Sequence, residues 1–120
     1  MTAYLSGPMS GHTDLNFPAF TEAARRLRSA GMHIISPHEH QETGPAKPWT
    51  YYLRKDIRLM LDCDTIIMLT GWRNSRGAVL ERHIAAELGM RIRELADVYH
   101  DLAHRKVTKP SAVVRIGGRR

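Results

Sequence analysis

Thr65-Ile66-Ile67-Met68-Leu69, followed after a polar loop by Gly77-Ala78-Val79-Leu80-Glu81, is the stretch that decides the fold. The first part reads as a strand over 64–69, apolar almost throughout and therefore central and covered on both sides. Gly71 to Arg76 is a loop. A helix over 77–88 follows, with an apolar stripe through Leu80, Ile84 and Leu88, and Gly89 ends it. At helical spacing Glu81 lies close to Leu88 and one turn after Gly77. That places it on the edge of the packed face, near free N–H groups and the positive end of the helix dipole. A carboxylate there is expected to be ionised and partly shielded, as a nucleophile should be. An ordinary first-turn glutamate that only helps the helix fits this segment equally well.

Working outward, the same alternation recurs. Thr2 to Ser6 is a short strand that runs into the Gly7-Pro8 turn. The loop from Gly7 to Leu15 leads to a helix with Asn16 as N-cap and Pro18 in its first turn. Phe20, Ala24 and Leu27 share one face of it, and Gly31 stops it. Met32 to Ser36 is a second strand, and Pro37 to Pro48, with three prolines, is a long loop. A second helix runs from Trp49 to Leu61 with Leu53, Ile57, Met60 and Leu61 inward. Met90 to Arg93 is a fourth strand candidate, and Ala96 to Arg105 reads as helix.

Strand and helix alternate three or four times, which specifies an α/β protein with right-handed crossovers. The expected architecture is a single-domain Rossmann-like three-layer sandwich with a four- or five-stranded, mostly parallel sheet. Ligands bind such sheets beyond the carboxyl ends of the strands. The loops Gly7–Leu15, Pro37–Pro48 and Gly71–Arg76 should meet there.

Bulk properties narrow the class. The 120 residues suit one domain with a real core. The charged content of 25% is ordinary for a globular protein. The lone cysteine, Cys63, makes no internal disulfide, so a reducing, cytoplasmic setting is expected. No apolar run approaches ~20 residues, so no membrane span is expected. The net charge of +6 sits in the tail. Residues 105–120 hold Arg105, Lys106, Lys109, Arg115, Arg119 and Arg120 and no acid, while twelve cations balance twelve acids elsewhere. The chain is thus expected to comprise a domain over 1–104 and a basic tail over 105–120. Nucleic-acid binding is not expected, except through that tail.

The candidate site residues each carry a bland reading beside the chemical one. Ser6-Gly7-Pro8-Met9 lacks the Gly-Lys-Ser/Thr ending of a phosphate loop, yet it can offer N–H groups and hydroxyls to a small ligand. A strand-to-loop turn needs Gly and Pro in any case. Ser75, Arg76 and Gly77 at a helix start make a phosphate site or a simple cap, equally well. Asp56, near the edge of the Leu53–Met60 stripe, can supply a second carboxylate beside Glu81. One ionised and one protonated carboxylate is the equipment for glycosidic bond cleavage. Taken alone, a helix-surface aspartate is the simpler reading, and Asp64 at a strand start is structural. Trp49, Tyr51 and Tyr52 can stack on a base, although burial against the sheet is commoner. His38-Glu39-His40 and the His100/His104 pair have metal-like spacing with no further ligand, so no metal is expected.

Together, Tyr4-Leu5-Ser6-Gly7-Pro8, Asp56 with Asp64 eight residues on, and Gly77-x-x-x-Glu81 followed by Gly89 resemble the nucleoside 2-deoxyribosyltransferase superfamily. The resemblance covers roughly residues 3–93. It is closest to the small DUF4406 branch and is similar to the 2'-deoxynucleoside 5'-phosphate N-hydrolases. It implies that Glu81 attacks the anomeric carbon, that Asp56 handles the proton of the leaving base, and that Tyr4 orients the carboxylate. It implies substrate contacts for Ser6, Gly7, Pro8, Met9, Ser75, Arg76, Gly77, Trp49 and Tyr52. Ser75 falls where the hydrolases place a phosphate-binding serine, which favours a nucleoside monophosphate. Pro8 and Met9 depart from the hydrolase loop and look like the transferases. No cofactor is implied. The activity expected is N-glycosidic hydrolysis of a (deoxy)nucleoside 5'-monophosphate. Base exchange by a deoxyribosyltransferase and a non-catalytic nucleotide-binding module are the alternatives. The resemblance also implies a homodimer or higher oligomer, with Ser111–Ile116 a candidate contributor to a neighbouring site.

Overall fold

The structure is a computed structural model, and it describes residues 1–108. Strands β1 (Thr2–Ser6), β2 (His33–Ile35), β3 (Thr65–Met68) and β4 (Arg91–Glu94) alternate with helices α1 (Phe17–Ser29), α2 (Trp49–Leu61), α3 (Arg76–Glu87) and α4 (Leu95–Thr108). Short 3-10 turns at Thr13–Asn16, Pro37–His40 and Trp72–Asn74 lie in the three loops. The segment Ser111–Ile116 is outside the described residues.

All four strands are parallel, in the order β2-β1-β3-β4. The fold is an α/β Rossmann-like single domain. Because the chain first winds outward from β1 and then returns to its other side, the strand order reverses between β1 and β3. That reversal opens a crevice at the carboxyl ends of these two central strands.

Side chains alternate across the pleat and divide the interior into two layers. Ala3, Leu5, Ile67 and Leu69 pack against Phe20, Ala23, Ala24 and Leu27 of α1 and Val98 of α4. Tyr4, Ile66 and Met68 face the other way, onto Met60 of α2 and Ala78 and Ala85 of α3. Asp64 is structural: its Oδ1 accepts from the Thr2 N–H at 3.3 Å and the Thr65 hydroxyl at 2.8 Å, tying β1 to β3.

Three expectations are corrected. Asn16 occupies the N-cap position of α1, but its side chain caps nothing; its amide Nδ2 donates to the Pro8 carbonyl at 2.9 Å. Asp14, Leu15 and Asn16 all have left-handed φ angles (52°, 53° and 61°), which aim Asn16 back at the first loop. Leu61, the last residue of α2, is 53% exposed rather than inward. On α3 the face that packs is Ala78, Glu81 and Ala85, whereas Leu80 and Leu88 are exposed and Ile84 only half-buried. Small side chains let this helix approach the strands closely, and the larger apolar ones are left outside.

Candidate active site

The site begins with the alternation of β1. Tyr4 and Ser6 are two residues apart, so both point to the α3 side of the sheet. Tyr4 lies opposite Ile66 and Ser6 opposite Met68, at the carboxyl end of the β1/β3 pair. In α3, Glu81 falls in the second turn on the packed face, between Ala78 and Ala85. The three meet: the Tyr4 phenol donates to Glu81 Oε2 at 3.0 Å, and the Ser6 hydroxyl donates to Oε1 at 2.6 Å. Both carboxylate oxygens are thereby held in place.

Glu81 is 5% exposed, so it is more enclosed than a position on the edge of the packed face would give. Burial pushes its pKa up to about 7, and the nearby Asp56 charge adds to the rise. The hydrogen bonds from Ser6 and Tyr4 oppose both effects. The expectation of a simply ionised carboxylate is thus corrected: near neutrality Glu81 is poised between its two forms. Burial, followed by the charges of Glu81 and Asp56, raises the Tyr4 phenol well above its ordinary value, so it stays a neutral donor. Asp56 comes from α2, and burial lifts it to about 6.

Glu81 and Asp56 line one cavity of about 490 Å³, a size that suits a small organic ligand. Tyr4 and Ser6 complete its floor around Glu81. Gly7, Pro8 and Met9 form one wall. A Cβ on Gly7 would come within 2.8 Å of Leu69 Cβ, so only glycine lets the loop leave β1 this close to β3. Trp49 and Tyr52 come from α2, and Ser75, Arg76 and Gly77 from the start of α3. The twelve residues that the resemblance singles out therefore all border the same cavity, whereas Tyr51 does not.

Ser75 is the N-cap of α3, its Oγ accepting from the Ala78 N–H at 3.2 Å. Its own proton remains available to an anion, beside the N–H groups of the first helical turn. The Arg76 guanidinium stacks on Trp49, 4.5 Å from the ring centre. Tyr51 turns away and bonds Glu42 instead. None of the three aromatics is buried against the sheet.

Several lining residues were missed. His12, Leu15, Gln41 and Lys47 reach the cavity from the loops, beside Ser10 and Asn74, which belong to the first-loop and helix-start motifs already read as ligand sites. Phe20, Pro37, Leu53 and Ala78 add apolar wall. The convergence of the loops was legible, but which loop residues turn inward was not. Lys47 had one signal, being the sole Lys or Arg between Pro37 and Pro48.

His38 corrects another reading. Rather than being solvated, it packs against Phe17 and Phe20 at ring separations of 5.8 and 6.1 Å, and burial lowers its pKa. Glu39 is paired with Arg28. His100 and His104 lie exposed on α4. Among the described residues no group of three or more His, Cys, Asp or Glu side chains could hold a metal, and no helix is long and apolar enough to cross a membrane.

A family model described as a domain of unknown function matches residues 1–94, which contain all four strands and every residue lining the large cavity. The chain belongs to the DUF4406 family. No curated protein gives a significant match. The match ends at the last residue of β4, and α4, which packs Val98 into the same core, follows it.

Proposed function

We propose that this DUF4406 protein cleaves the N-glycosidic bond of a (deoxy)nucleoside 5'-monophosphate through a covalent glycosyl-enzyme. One observation carries the reading: Glu81, nearly sealed from water and held at both oxygens by Tyr4 and Ser6, shares a nucleotide-sized cavity with a second carboxyl group, Asp56. The resemblance to the nucleoside 2-deoxyribosyltransferase superfamily supports the same roles.

In this mechanism a Glu81 oxygen attacks C1' while the bond from C1' to the base nitrogen breaks. Asp56 gives its proton to the departing base. The carboxylate becomes a glycosyl ester. Water then attacks C1', its proton passes to the Asp56 carboxylate, and sugar phosphate leaves with Glu81 restored. Two carboxyl groups in acid and nucleophile roles is the established logic of retaining glycoside cleavage. Ser75, Arg76 and the first turn of α3 hold the phosphate, and Trp49 and Tyr52 flank the base.

The productive form has Glu81 ionised and Asp56 protonated. Burial raises both carboxyl groups, Glu81 to about 7 and Asp56 to about 6, and the coupled pair shares its first proton. Turnover therefore peaks between those values and falls on both sides.

The test is to incubate the protein with nucleosides and their 5'-monophosphates, with and without an added free base, and to follow base and sugar products. Release of base and sugar phosphate from monophosphates supports the proposal. Exchange without net release moves the assignment to a transferase. Tight binding without turnover, unchanged in Glu81→Gln, overturns it in favour of a binding module.

A further inference from the structure

The crevice over β1 and β3 holds a second cavity. Its volume is about 300 Å³, at the lower end of the ~300–1,000 Å³ usual for small-molecule sites. Pro8, His12 and Asn74 border both cavities, so these three form the partition between them. The first cavity lies on the α2 and α3 side of the sheet, whereas the second reaches Ala19 of α1 and Leu95 of α4. Gly71 shapes the gap: its φ of 87° turns the chain sharply after β3, and a Cβ there would stand 3.5 Å from Pro8 Cγ. Asn16 holds the other side, its Nδ2 donating to the Pro8 carbonyl at 2.9 Å. Asn74 directly precedes Ser75 and Arg76, so the partition stands next to the end of the first cavity assigned above to the phosphate.

We infer that the second cavity holds a group esterified to the 5'-phosphate, so that the substrate is a nucleoside 5'-phosphodiester carrying a neutral, hydroxyl-bearing group of about sugar size. The inference rests on the nucleotide reading of the first cavity and extends it past the phosphate. Ligands of two parts lie across the crevice where the strand order of an open α/β sheet reverses, and both cavities open there. The lining selects the chemistry. Among the described residues no Lys, Arg, Asp or Glu borders the second cavity, and His12 is its sole titratable side chain. A second phosphate would therefore find at most one counter-charge there. Thr70, Asn16, Asn74 and His12 instead offer donors and acceptors. Apart from the Asn16 bond to Pro8, none of these four side chains is hydrogen-bonded among the described residues. Alcohol groups both donate and accept, so they satisfy such a mixed set. Leu69, Leu95 and Ala19 supply an apolar wall for the carbon atoms of the same group.

The test is calorimetric binding to the full chain carrying Glu81→Gln, which keeps the ligand uncleaved. Each of the four common 2'-deoxynucleosides is offered as its 5'-monophosphate, its 5'-diphosphate and its 5'-phosphoglycerol diester. For at least one base the diester should bind about tenfold or more tightly than the monophosphate, whereas the diphosphate should show no such gain. Adding Ala19→Phe fills the second cavity from an exposed position on α1 that does not border the first. It should abolish the gain and leave monophosphate binding unchanged. Thr70→Val keeps the side-chain shape but deletes a hydroxyl, and should remove part of the gain. Because both positions are exposed, circular dichroism should show both variants folded. A diester that binds no more tightly than the monophosphate overturns the inference. So does a gain that survives Ala19→Phe, or a preference for the diphosphate. In each of those cases monophosphate binding still stands. If no monophosphate binds, the nucleotide reading of the first cavity fails and this inference falls with it.

Discussion

The two sides of the sheet use alternate residues of the same strands to opposite ends. Toward α1 and α4, Ala3 and Leu5 meet Phe20, Leu27, Ile67 and Val98 in an apolar layer. Toward α2 and α3, Tyr4 and Ser6 meet a carboxylate, and the layer opens into a cavity. The first side is what a folding chain gains most from, since each large apolar side chain fully buried is worth about 1.5–3 kcal/mol. The second side carries a cost, because Glu81 loses hydration that two hydroxyl donors only partly replace. One face of the central strand β1 is thus given to apolar packing and the other to a buried carboxylate that borders the cavity.

The comparison breaks most sharply at Glu81. Glu81→Gln keeps size and shape, and in the proposed mechanism turnover falls by about four powers of ten or more, read in single-turnover base release. On the opposite side, Leu27→Ala should cost about 2–5 kcal/mol of unfolding free energy in denaturant titration. Turnover per folded molecule should be unchanged there. If Leu27→Ala altered the rate as strongly as Glu81→Gln, the division between the two sides would be lost.

A third prediction uses pH. The Glu81 pKa is about 7 when folded, above the ordinary 4.5 of the unfolded chain, so the unfolded state releases its proton first. Stability from this group is therefore full below about 4.5 and is lost as pH rises towards 7, by about 3 kcal/mol. Asp56 shifts in the same direction. Chemical denaturation at pH 5 and pH 8 measures the difference. Glu81→Gln should remove most of it and leave the protein more stable than wild type at pH 8. The smallest effect is Tyr4→Phe, which deletes one hydrogen bond to the carboxylate. It should lower turnover about ten- to a hundredfold. It should also move the optimum to higher pH, since that bond holds the Glu81 pKa down.

Element order was legible because its signals are local. A fully apolar run specifies a central strand, and β3 is central. Gly31 and Gly89 follow the ends of α1 and α3 as read. The α3 stripe was not legible: Leu80, Ile84 and Leu88 are the most apolar line on that helix, but the tight spacing to β1 and β3 admits only Ala78 and Ala85. His38 likewise looked solvated until Phe17 and Phe20 closed over it.

Sequence alone determined the α/β order, the mostly parallel sheet and the three loops that meet at the cavity, because periodicity and turn chemistry act over a few neighbours. Tertiary structure alone decided that Tyr4 and Ser6, 77 and 75 positions from Glu81, would grip its two oxygens. It also decided that the acid would be sealed enough to reach a pKa of about 7. Burial and hydrogen-bond geometry depend on how β1 and α3 come together in space, and no local pattern encodes that distance.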